Sequence, residues 1–106
     1  MKIKIVNDDY IIFDNGNLLT YAHLQDCCEN NYALFSAIDD IARETEFNEY
    51  LIFESVNGSG FRFGNKNKMV FVPCYSVQNG YYSDTIDIVY NNEVVEMVNC
   101  ELIEEG

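Results

Sequence analysis

The residues with the most chemistry in this chain are His23, its one histidine, and four cysteines, Cys27, Cys28, Cys74 and Cys100. His23 stands four residues before Cys27, in the run His23-Leu24-Gln25-Asp26-Cys27-Cys28-Glu29. Imidazole and thiolate are the donors that zinc favours, and closed structural sites use four of them in a tetrahedron. Adjacent cysteines depart from the usual C-x₂₋₄-C spacing. The run supplies three donors, and a fourth must fold back from a distant segment. Cys74, just after Pro73 and ahead of a turn, is the expected fourth, with Cys100 and Asp26 as alternatives. The predicted site is therefore a structural Zn²⁺ held by His23, Cys27, Cys28 and Cys74. The competing reading is that these cysteines only pack, since free cysteine is among the most buried residue types.

Catalytic readings of the same residues fare worse. A Cys–His hydrolase needs a thiolate, an imidazole base and an oxyanion hole, brought together from distant segments. Zinc deaminases carry H-x-E and P-C-x-x-C. Here His23 is followed by Leu24-Gln25, and Pro73-Cys74 lacks the second cysteine. There is no Walker A loop, G-x-S-x-G or HExxH. No enzymatic activity is expected; a small metalloenzyme would need an open coordination position.

The elements that must carry these residues are mostly short strands. Lys2–Val6 alternates as a half-buried strand does. Residues 10–14 and 17–23 flank Asn15-Gly16, a strong hairpin signal because both turn positions favour positive φ. Further strands are expected at 50–56, 61–63, 69–72, 81–90 and 93–102, with turns at Asn57–Gly60, Gly64–Lys68, Asn79-Gly80 and Asn91-Asn92. One main helix is expected from about Asn30 to Thr45. Leu34, Phe35, Ile38, Ile41 and Ala42 recur there at three- and four-residue spacing, opposite Asp39, Asp40, Arg43 and Glu44. Asp26 and Glu29 read as its capping box, placing Cys27 and Cys28 in a first turn whose dipole favours thiolates. The predicted fold is α+β: an antiparallel meander with one main helix packed on it, stabilised by zinc.

With 106 residues one domain, 1–106, is expected, and so small a core gains from a structural metal. Met1–Val6 is followed at once by Asn7-Asp8-Asp9, which does not read as a secretory signal. No apolar run is long enough to span a bilayer. A reducing cytosol is expected, with thiols free or metal-bound. The net charge is −12, from six basic and eighteen acidic side chains. That excludes direct nucleic-acid binding, since little could neutralise a row of phosphates, and favours a positively charged protein partner. Tyr75, Tyr81, Tyr82 and Tyr90 then read as packing or protein-interface residues rather than a base-stacking platform.

Two segments carry a family resemblance. His23–Glu29 resembles the H-x-Q-D-C-C-E motif of a family of small phage and prophage proteins known only as a domain of unknown function. Asn79-Gly80-Tyr81-Tyr82-Ser83 resembles the N-G-Y-Y-S motif of the same family. The likeness runs from about Leu19 to Ile88 and implies a phage setting without a mechanism. In size, acidity and His/Cys content the chain is also similar to anti-CRISPR proteins, one zinc-containing type of which acts on type II-A Cas9. That similarity implies an inhibitor in the host bacterial cytoplasm. It would bind Cas9 or its guide RNA complex through an acidic surface and block DNA loading. A zinc-binding phage accessory protein of other function is the alternative.

Overall fold

Alternating apolar and polar residues, cut by Asn- and Gly-rich turns, make this chain a β protein. The computed structural model describes residues 1–24 and 28–104. Its strands are β1 (Ile3–Val6), β2 (Tyr10–Phe13), β3 (Leu18–Ala22), β4 (Asn30–Ala33), β5 (Ile52–Val56), β6 (Gly60–Asn65), β7 (Lys68–Gln78), β8 (Thr85–Tyr90), β9 (Glu93–Asn99) and β10 (Glu101–Glu104). One sheet has the order β1-β2-β3-β8-β9. The second has the order β10-β7-β6-β5, with β4 also paired to β7. All pairings are antiparallel except β10 on β7, which is parallel.

Turn chemistry explains the hairpins. The β2–β3 pair closes over Asn15-Gly16, where Gly16 has φ of 91°. Asn91 and Asn92, with φ of 49° and 69°, form the β8–β9 turn, because asparagine tolerates the left-handed region. Gly60 is required for a second reason: with φ of 151°, any Cβ there would run into the Val72 carbonyl oxygen of β7.

Strand β7 organises the second sheet. Its first half, Lys68–Pro73, pairs with β6. Its second half is flanked by β4, at Cys74–Val77, and by β10, at Tyr75–Gln78, one on each edge. The two sheets share one core. Phe13 of β2 meets Phe63 of β6 edge-on at 6.4 Å, and Phe47 packs on both, at 5.8 and 5.6 Å. Phe61 joins Phe63 to Phe35 at 6.3 and 6.1 Å. Such edge and tilted contacts add about 0.5–1.5 kcal/mol each beyond area burial.

The main helix expected over residues 30–45 does not form, so the α+β reading is replaced by a mainly antiparallel β architecture. Residues 30–33 are strand β4, Phe35–Ala37 make one 3₁₀ turn, and only α1 (Asp40–Glu44) is α-helical. The cause is visible in the burial: Asn31, Ala33 and Phe35 are all buried, at the two-residue period of a strand. Ile41, assigned to the apolar stripe, is 63% exposed. The helix start lies at Asp39, whose side chain accepts the Ala42 amide at 2.9 Å, and not at Asp26, which falls outside the described residues. The sheet order also departs from a simple meander, because β3 pairs with β8 and β10 with β7.

Candidate functional site

His23 follows β3 and Glu29 precedes β4. The His23 Nε2 lies 2.8 and 3.0 Å from the two carboxylate oxygens of Glu29. The Glu29 side chain is wholly buried and that of His23 is 10% exposed. A carboxylate withdrawn from water needs donors, and the imidazole N–H is one. The pair ties the segment leaving β3 to the strand that begins β4.

A second set of buried polar groups continues from there. On β7 the inward positions Val70, Val72 and Cys74 are followed at the same spacing by Ser76 and Gln78, both fully buried. Asn31 of β4 stands opposite Ser76 in the ladder and accepts its hydroxyl proton. The Asn31 amide donates to the Ser83 carbonyl at 2.7 Å. Gln78 Nε2 donates to Ser76 Oγ at 2.7 Å and to the Ser83 carbonyl at 3.1 Å, and its Oε1 accepts the Tyr82 amide at 2.7 Å. Among the described residues no buried side-chain nitrogen or oxygen lacks a partner. The turn Asn79–Ser83 is thus held by its backbone against β4 and β7, while the Tyr81 side chain is 87% exposed.

His23 and Ser83 also line a shallow cavity of about 430 Å³, closed by Leu24, Thr85, Asp87 and Met97. Both motifs singled out in the sequence therefore border one cavity, and Asn31, two residues after Glu29, hydrogen-bonds the Ser83 carbonyl. These bonds connect segments of the chain to each other.

The structure does not assemble the expected zinc set from the residues it describes. His23 is turned to Glu29, and Cys28 is exposed. Cys74 is fully buried, and its thiol points to the Val72 carbonyl oxygen at 3.9 Å. Hydrogen bonding to Cys100, reinforced by burial, pushes the Cys74 thiol far above its usual range. Cys27 and the alternative ligand Asp26 lie outside the described residues. Among the described residues no three His, Cys, Asp or Glu side chains are grouped to hold a metal ion. The expected set includes Cys27, outside the described residues; among the described residues buried polar pairs and aromatic packing hold the fold. Sequence reading missed Glu29, Asn31, Ser76 and Gln78 as a unit. The available signal was the two-residue spacing of β7, carried two positions past its last apolar side chain.

The architecture and the His23–Glu29 clamp define a small two-sheet β protein whose two motifs border one cavity beside a buried polar interior. Residues 1–88 match the family model described as Domain of unknown function (DUF7448), and the chain belongs to that family. No curated protein and no solved structure matches it. No helix among the described residues is long and apolar enough to cross a membrane.

Proposed function

We propose that this chain works by binding and not by turnover. It is read as a phage-encoded acidic domain that occupies a basic surface of a bacterial defence nuclease, with type II-A Cas9 the partner to test first. The observation that supports this reading is the placement of charge. Of the carboxylates among the described residues, Glu29 alone is buried. Among those residues Arg62–Glu54, at 2.8 Å, is the one ion pair between a basic and an acidic side chain other than His23–Glu29. Apart from Glu29, the described acidic side chains of this chain of net charge −12 therefore reach solvent with little internal compensation. Such a surface raises association rates with a positive cleft and repels nucleic acid. In this reading the motif clamp sets the shape of the scaffold, and the acidic surface makes the contact.

The region around α1 is the first contact to test. Asp40 and Glu44 are exposed on α1, and Ser36 Oγ donates to Asp8 Oδ1, bringing the acidic β1–β2 turn beside this segment. The experiment is capture of the protein by Cas9 loaded with guide RNA, alongside a DNA-loading assay. A saturable complex near one copy per nuclease is expected, with affinity falling as salt rises. D40K/E44K should weaken capture by about tenfold or more, chiefly through the on-rate. No detectable complex at low salt would remove Cas9 as the partner. Inhibition at far below one copy per nuclease would replace binding with turnover.

A further inference from the structure

Cys74 and Cys100 take no part in the clamp, yet the fold sets them side by side. Strand β10 runs parallel to β7 with Glu101 opposite Tyr75. The residues just before these, Cys100 and Cys74, therefore face one another at the start of that ladder. Both are buried, at 2% and 0% exposure, on the core side of the sheet. Neighbouring strands lie about 4.8 Å apart, inside the Cα separation of about 4.4–6.8 Å that a disulfide bridges.

We propose that Cys74 and Cys100 are a redox modification site, a latent disulfide clasp that fastens β10 to β7 when the protein meets an oxidising low-molecular-weight disulfide. One cysteine loses its proton, and its thiolate attacks a sulfur of the small disulfide, releasing one small thiol. The second cysteine, deprotonated in turn, attacks the protein-bound sulfur of that mixed disulfide and displaces the other small thiol. Two protein thiols are oxidised, and one small disulfide is reduced to two thiols. The closed core shields both sulfurs, so the reaction passes through opening of β10. That strand is short, all four of its residues are exposed, and β7 is its one pairing partner among the described residues. Edge segments of this kind open at far lower cost than the whole fold. The inference is independent of the proposed partner.

The test uses C27S/C28S protein, which removes the other two cysteines. It is exposed to oxidised glutathione in urea too dilute to unfold it. The expected product has no free thiol, has lost two hydrogens in mass, carries no glutathione, and yields a peptide linking Cys74 to Cys100. Its melting temperature should rise by about 10 °C, reversibly with dithiothreitol. C100A in the same background should show no rise. Persistent glutathione adducts, bridges between molecules, thiols that stay free, or a bridge that lowers the melting temperature would each overturn the clasp.

Discussion

Strand β7 runs through two interiors of different chemistry, and the change falls within one strand. Its first half lays Val70 and Val72 on the aromatic cluster of Phe13, Phe47, Phe61 and Phe63. Its second half presents Ser76 and Gln78 to Asn31 and to the turn ending at Ser83. The aromatic half is non-directional: area and close packing stabilise it, and neighbouring rings share a loss. The polar half is directional. Each hydrogen bond adds only about 1 kcal/mol, but an orphaned partner costs about 1–3 kcal/mol. Such a network specifies one arrangement of β4, β7 and the Asn79–Ser83 turn more sharply than it stabilises it.

The two interiors should break differently. The largest effect is expected from Phe63→Ala, at about 3–5 kcal/mol by denaturant unfolding; a loss below about 1 kcal/mol would mean the aromatic cluster is not the main support. Asn31→Ala leaves the Ser76 hydroxyl proton without its acceptor and the Ser83 carbonyl with Gln78 alone, and should cost about 2–3 kcal/mol. Paired with Ser76→Ala in a double-mutant cycle, it should show coupling of at least about 1 kcal/mol. Additive losses would mean the two side chains act separately.

Alkaline pH tests the boundary between the interiors, where Cys74 sits. Its thiol is raised above the usual value of about 9 by the Cys100 hydrogen bond and by burial. Tyr21 is raised by burial and then by Asp9, and Tyr90 by burial against an opposing Asn17 hydrogen bond. Groups with raised folded pKa values hold protons that the unfolded chain releases. The stability they give is complete below about pH 9 and is lost as pH rises beyond it. Cys74→Ala should flatten that decline, read as melting temperature between neutral and alkaline buffers.

The smallest effects concern the surface and metal. If polar pairs and packing alone hold the described residues, chelator treatment should move the melting temperature by no more than about 2 °C. Stoichiometric zinc in elemental analysis, lost in His23→Ala and Cys28→Ala, would instead add a metal to the clamp. Tyr81→Ala should stay within about 0.5 kcal/mol of the parent protein.

The same comparison explains what could be read from the residues alone. The hairpins at Asn15-Gly16 and Asn91-Asn92 were legible because their turns demand positive φ, which few residues tolerate. The aromatic half of β7 was legible because Val70 and Val72 announce its period. The polar half was hidden: Asn31, Ser76 and Gln78 read as surface residues, and only their partners, distant in sequence, make them interior. With no local mark of Asn31 as interior, the strand period of residues 31–35 was concealed as well. That let the spacing of Leu34, Phe35, Ile38, Ile41 and Ala42 pass for a helix. His23 and Cys28 were legible as reactive types. The claim that Glu29 and Cys100 would make on His23 and Cys74 depends on chain crossings that local pattern does not encode.

The parallel seating of β10 has a consequence for the order of assembly. Strands β5, β6 and β7 are successive antiparallel neighbours and can zip as they leave the ribosome. Parallel β10 must wait until β8 and β9 have carried the chain back to the far side. Until residues 101–104 are made, one margin of β7 stays open as a template for any extended segment. The nascent protein is therefore most vulnerable to mispairing in the interval between β7 and β10, and docking of β10 is the step that ends that exposure.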